Sequence, residues 1–262
     1  MLFRSEAATA AVVDRGWEDP ALDVPGAPAA TLRYAITGLG PDGATSLCEQ
    51  FRRRGLGVPF PYLDDRLMPQ MAARLGCWDV YGQMDIRDYL TALTAKRTTS
   101  NGAFGIFFRK RQLQGHIGDD FKKTLEFWRT FDRIIFMRHR DKVLASVRVA
   151  QWRVSRMAPD SAARVRDSEH RVYEMMSEAL HGLVAGDAHI KRMAGSLGED
   201  KVRGVDVESL RDPAVVDALA AWIGGDRASP TSAAPTEGFK FDTSAGDLEF
   251  KRRFLDYIGA TG

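Results

Sequence analysis

Leu32-Arg33-Tyr34-Ala35-Ile36-Thr37-Gly38-Leu39-Gly40-Pro41-Asp42-Gly43-Ala44-Thr45 decides how this chain is read. Its first six residues are β-branched, aromatic or apolar and predict a strand. Gly38 to Ala44, with three glycines and a proline, predict a loop. From Thr45 to Arg54 the apolar residues Leu47, Cys48 and Phe51 recur at helical spacing, and Gly55 supplies a C-terminal stop. A strand feeding a short loop and then a helix opens a doubly wound parallel sheet. It also places the first backbone N–H groups of the helix, which lack intrahelical partners, where they can hold an anion. Gly43 allows close backbone approach there, and Thr45 and Ser46 add hydroxyl donors.

The pattern repeats downstream. Phe104 to Phe108 and Arg133 to Met137 predict a second and a third strand, the second apolar on both faces as a central parallel strand is. Lys201 to Asp206 predict a fourth. Helices are expected over 65–75, 85–97, 119–130, 142–157, 161–194, 212–223 and 247–258. The Asp212-Pro213 start and the Gly224-Gly225 stop frame one of them. The expected fold class is α/β, three-layer, with a mostly parallel central sheet and helices on both faces. Residues 1–30, rich in Ala, Pro and Asp, read as an irregular N-terminal extension, and 31–262 as one domain. Residues 226–238 read as a flexible loop.

The 262 residues are 44% hydrophobic and 27% charged, enough for one α/β domain with a sizeable core. A net charge of +2 favours neither a nucleic acid nor a membrane surface as partner. The basic residues cluster, at Arg52–Arg54, Arg109–Arg111, Arg138–Arg140 and Lys251–Arg253. Such runs are usually solvated, but two of these lie at predicted strand ends, where open α/β sheets bind ligands. Cys48 and Cys77 share no metal-ligand spacing, so no metal site and no disulfide framework are expected, which fits a reducing cytoplasm. Glu6, Asp14 and Glu18 break up the N-terminus, so no signal peptide is expected, and no stretch approaches the ~18 apolar residues of a membrane span. The Met- and Leu-bearing stretch 161–194 serves equally as a core helix or as the face of a homodimer.

Two stretches carry chemistry in combination. The first is the loop ending in Gly43-Ala44-Thr45-Ser46. It lacks the GxxxxGK[ST] of a P-loop kinase, and Pro41 spoils its G-x-G-x-x-G as a dinucleotide fingerprint. The second is Phe136-Met137-Arg138-His139-Arg140-Asp141, where arginines end a strand and Ser146 follows in the next helix. In order and spacing these resemble the sulfotransferases that use 3′-phosphoadenosine 5′-phosphosulfate (PAPS), most of all the bacterial trehalose 2-sulfotransferase type. The resemblance covers roughly 31–156. Asn101–Gly105 and a late basic helix at Asp247–Phe254 match more weakly.

The resemblance implies a sulfotransferase fold and transfer of a sulfuryl group from PAPS to a hydroxyl of a carbohydrate or small metabolite. Gly43, Ala44, Thr45 and Ser46 would hold the 5′-phosphate. Arg138 and Ser146 would hold the 3′-phosphate, with Arg148 in the register of the bacterial type. The family's cationic loop residue is Pro41 here, its middle-strand lysine falls near Phe107, and its general base falls at Phe60 or Pro61. Asp64 is then the nearest substitute base, with His139 as another, and Arg109 a substitute charge. These departures equally suit a second reading: a protein of this fold that has lost catalysis and acts as a binding or assembly subunit. Aromatic residues near the crevice, among them Phe60, Tyr62, Trp78, Phe108 and Trp152, read mainly as core.

Overall fold

A computed structural model describes residues 19–38, 43–118, 120–155, 157–158, 160–162, 168–227 and 244–261. The expectations for Leu39–Asp42, most of the N-terminal extension and most of the 226–238 loop therefore lie outside the described residues. Strands β1 (Leu32–Gly38), β2 (Ala103–Arg109), β3 (Arg133–Arg138) and β4 (Val202–Asp206) form one parallel sheet in the order β2-β1-β3-β4. Helices α1 (Ala44–Arg53), α2 (Met68–Arg74), α3 (Ile86–Arg97), α4 (Lys110–Ile117), α5 (Phe121–Arg129), α6 (Lys142–Ser155), α7 (Glu169–Leu197), α8 (Pro213–Gly224) and α9 (Ala245–Thr261) connect and follow the strands.

Side chains alternate across the sheet, and those of β1, β2 and β3 are largely buried on both faces. Tyr34, Ile36, Phe107, Ile135 and Met137 pack with Leu47 and Phe51 of α1 and with Val216, Leu219 and Ile223 of α8. Ala35, Ile106, Phe108, Ile134 and Phe136 pack on the other face with Met71 of α2, Leu93 of α3, Trp128 of α5 and Met193 of α7. Burying each Leu, Ile or Phe stabilises the fold by roughly 1.5–3 kcal/mol relative to exposure. A third cluster joins α6, α7 and α9 through Val147, Met176, Phe250 and Phe254. Among the described residues, the strands and all but one of the helices are where the sequence expects them. The exception is α4: Lys110-Arg111-Gln112, with a glycine soon after, reads as a solvated basic run, yet Leu113 is buried and anchors a helix over the end of β2.

The second strand is not central. Among the described strands β2 is at an edge, and β1 and β3 are the inner pair. Its two-sided burial has another cause. The extended segment 57–60 runs along its outer side, where Phe107 N–H donates to the Phe60 carbonyl at 3.0 Å. Gly57, at φ +80°, lies so near that a Cβ there would meet Gly105 N at 2.8 Å. An edge strand sealed in this way is as buried as a central one.

The described part of the N-terminal extension lacks strands but is docked. Asp23 takes Arg74 at 2.6 Å and Arg97 at 3.1 Å. Arg97 is fully buried over the Tyr62 ring. Of the basic run at 52–54, Arg54 is buried and pairs with Asp217 of α8 at 2.5 Å, while Arg52 and Arg53 both bond Glu49. That run holds α1 rather than a ligand.

Candidate functional site at the carboxyl edge of the sheet

The strand order reverses between β1 and β3. From β1 the chain crosses to β2 on one side, and later to β3 on the other. At such a switch point the loops leave in opposite directions and a crevice opens at the carboxyl ends of the strands. Pairing fixes what lines that edge: Gly38 of β1 sits beside Arg109 of β2 and Met137 of β3, and Arg138 sits beside Asp206 of β4. Two of the four basic clusters, at 109–111 and 138–140, therefore flank the end of β1.

On the β1 side, Gly43 occupies the N-cap position of α1 in the left-handed conformation, φ 78°, and as a glycine brings no side chain of its own to the cap. Ala44 is buried, and Thr45 and Ser46 are half-buried in the first turn. On the β3 side the equivalent position is filled by the chain itself. Asp141 accepts from Leu144 N–H at 3.0 Å at the start of α6, and Lys251 of α9 grips its other oxygen at 2.5 Å. Partial burial pushes the Asp141 carboxyl up, and these donors outweigh it, leaving the group below the usual carboxylate range.

Arg138 and Arg140 converge on one carboxylate. Arg138 Nε donates to Asp206 Oδ1 at 2.8 Å and Arg140 bonds Oδ2 at 3.2 Å. Burial raises the Asp206 carboxyl, and the two guanidinium groups more than offset this and hold it low. Both arginines remain exposed, at 48% and 72% of their side-chain surface, so each has donors directed to solvent. His139 between them is buried with Nδ1 3.4 Å from Glu208 Oε1, and Glu208 also accepts from Arg140 N–H. The His139 ring therefore faces the interior and a carboxylate.

The remaining sequence candidates divide. Ser146 is fully buried and its hydroxyl donates to the Val143 carbonyl one turn back, whereas Arg148, half-buried, lies nearer the surface of the same helix. Asp64 is brought to the end of β2. Gln112 accepts from Arg109 N–H at 2.9 Å and donates to Asp64 Oδ2 at 3.3 Å, and Arg66 pairs with Oδ1. The Arg109 guanidinium lies 5.6 Å over the Trp152 ring of α6. Asp64 and Arg109 are thus joined through one amide side chain, an arrangement their separation in sequence does not disclose.

Reasoning from sequence missed Asp206, Glu208 and Gln112. It missed, too, a cavity of about 230 Å3 beneath the end of β1, walled by Thr37, Gly38 and Phe136 of the sheet, Trp128 of α5, and His189 and Arg192 of α7. His189 reads as an ordinary helix residue in the sequence. The signal that could have found Asp206 was present: parallel strands end on one edge, so the last residue of β4 belongs with the last residue of β3. A wider depression, about 1300 Å3, lies at the opposite, amino ends of the strands, lined by Asn101, Asp132 and Trp222. Parallel α/β sheets bind ligands at the carboxyl edge, the edge at which the smaller cavity lies. Among the described residues no cluster of three or more His, Cys, Asp or Glu could hold a metal, and no helix is long and apolar enough to cross a membrane. No family model and no curated protein matches the chain at a significant level.

Proposed function

We propose that this chain binds the phosphate groups of PAPS across the carboxyl ends of β1 and β3, in a P-loop-like sulfotransferase fold, and transfers the sulfuryl group to a hydroxyl of a carbohydrate or small metabolite. The observation that carries the reading is the juxtaposition of the α1 N-terminus, at Gly43–Ser46, with two exposed guanidinium groups, at Arg138 and Arg140, on either side of one switch point. A dipole end and a guanidinium are the two protein groups best suited to phosphate oxygens. In this reading the α1 amides receive the 5′-phosphate. Arg138, with Arg148, receives the 3′-phosphate, and the anion competes with Asp206 for the Arg138 donors. Asp64 takes the acceptor proton, and Arg109 supplies charge beside it.

A second reading has its own observation. Phe60 and Phe107 occupy the places of two charged residues of the family. They are buried at 5% and 4% exposure and bonded to each other through their backbones. Those places belong to the seal on β2. This favours a chain of the same fold that keeps anion binding and has lost transfer. Calorimetry with 3′-phosphoadenosine 5′-phosphate decides whether the nucleotide is held, and both readings expect it to be. Sulfur-35 transfer from PAPS to hydroxyl acceptors in a cell extract then separates them: labelled product supports the enzyme, and its absence with intact nucleotide binding supports the binding subunit. No detectable nucleotide binding overturns both.

A further inference from the structure

We propose that the cavity beneath the end of β1 is a binding site for a single-ring aromatic carboxylate. Size sets the first limit. At about 230 Å3 it exceeds the ~150 Å3 that suffices for benzene in an apolar cavity, and it falls below the ~300 Å3 where sites for drug-sized ligands begin. One ring with a small substituent fits, and a disaccharide or a nucleotide does not.

The walls set the second limit. Phe121, Trp128 and Phe136 line it together with Leu113 and Ile190, so an aromatic face meets aromatic and aliphatic carbon. Trp128 is 3% exposed and belongs to a ring cluster, 4.9 Å from Phe108 and 5.4 Å from Phe136. Its indole N–H is buried and meets no acceptor among the described residues. A buried N–H in that condition costs about 1–3 kcal/mol. A ligand that brings an oxygen acceptor into this wall, or a water it carries in, relieves that cost.

Charge sets the third. Among the described residues that line the cavity there is no aspartate or glutamate, and the one permanent charge is Arg192. Its guanidinium already lies 5.6 Å over the Phe121 ring, so the cation is held at an aromatic wall. Gln114, Thr37 and His189 add polar edges. A cationic ligand would bury its charge beside Arg192 without a partner, and a carboxylate would gain one. Gly186, buried in mid-helix on α7, lines the cavity with no side chain of its own. The inference stands apart from sulfuryl transfer: it needs no nucleotide and no group transfer.

The test is an amide-resonance titration of the full chain with benzoate, benzamide and benzylamine. Benzoate is expected to give saturable shifts, with a dissociation constant in the millimolar range or tighter for so small a ligand. The shifts should centre on residues of α5 and α7 that line the cavity. Benzamide should bind about tenfold more weakly, and benzylamine not measurably. Arg192→Gln is an exposed change, so the fold should survive it, and it should bring benzoate down to the level of benzamide while leaving benzamide unchanged. Gly186→Leu should abolish binding of both. Should that variant fail to fold, the Arg192→Gln comparison still decides. No saturable benzoate shifts, shifts centred on the amino-end depression, or equal binding of benzoate and benzamide unaffected by Arg192→Gln would each overturn the proposal.

Discussion

One carboxylate between two arginines occurs twice in this molecule, with opposite consequences. Asp23 lies between Arg74 and Arg97, and Asp206 between Arg138 and Arg140. Each triad carries a formal charge of +1. The first is packed away: Arg97 has no exposed side-chain surface and Arg74 about a quarter. The second is at the rim of the crevice, with its arginines half and nearly three-quarters exposed. Burial makes the difference. In the first triad the guanidinium groups are committed, because removing the carboxylate would strand a charge in the interior. In the second, water already solvates the guanidinium faces, the pairs themselves contribute little to stability, and the surplus charge is open to another anion. The same three side-chain types form a clasp in one place and, in the proposed function, a receptor in the other.

The comparison is open to direct attack. The largest effect is expected from Asp23→Ala, which leaves Arg97 buried without its carboxylate and should destabilise the fold by about 3 kcal/mol in urea unfolding. A loss under about 0.5 kcal/mol would mean the buried triad is no clasp. Next comes Arg138→Ala, which should weaken 3′-phosphoadenosine 5′-phosphate binding by about tenfold or more in calorimetry while stability stays within about 0.5 kcal/mol. Equal loss of both quantities would make the rim triad structural after all.

A smaller effect is expected with pH. Burial raises the Asp23 carboxyl, and Arg74 and Arg97 lower it further than burial raises it, so its folded value is depressed. A depressed folded value contributes stability that is present above the unfolded value of about 3.9 and lost as pH falls through the lower, folded one. Acidification below about pH 4 should therefore weaken the wild type more steeply than Asp23→Asn, as read by thermal unfolding across that window. The smallest change is expected from Asp206→Asn. It should move stability by under about 1 kcal/mol and tighten nucleotide binding a few-fold, since Arg138 no longer has to leave a carboxylate. Weaker nucleotide binding in that variant would mean Asp206 orients the arginine rather than competing for it.

Much of the frame was legible because it is local. The apolar runs at 32–37 and 133–137 had to become strands, and Leu47, Cys48 and Phe51 had to share a helix face. Gly55 adopts φ +71° at the end of α1, which only glycine does cheaply. The misplacement of β2 had a physical cause: a strand sealed by the 57–60 segment and a strand sealed by two neighbours have the same composition. The hidden α4 had another, since four polar residues precede or surround its buried side chain, Leu113.

The candidate site was half legible. Gly43 and Arg138 could be picked out because strand ends and Gly-rich turns are sequence features. Their partners could not. Asp206 lies 68 residues from Arg138, and Asp64 is tied to Arg109 only through Gln112. The cavity draws its walls from the ends of β1 and β3 and from α4, α5 and α7, and no local pattern encodes a void.

The opening strand and helix thus came from the sequence alone, because propensity, periodicity and a glycine stop act over a few residues. Sequence also placed two basic clusters at strand ends. Only the tertiary structure decided which arginines are clasped and which are offered. It alone capped α6 with Asp141. Burial and partner choice depend on which distant segments the sheet order brings together, and a parallel sheet gathers at one edge residues that the chain holds far apart.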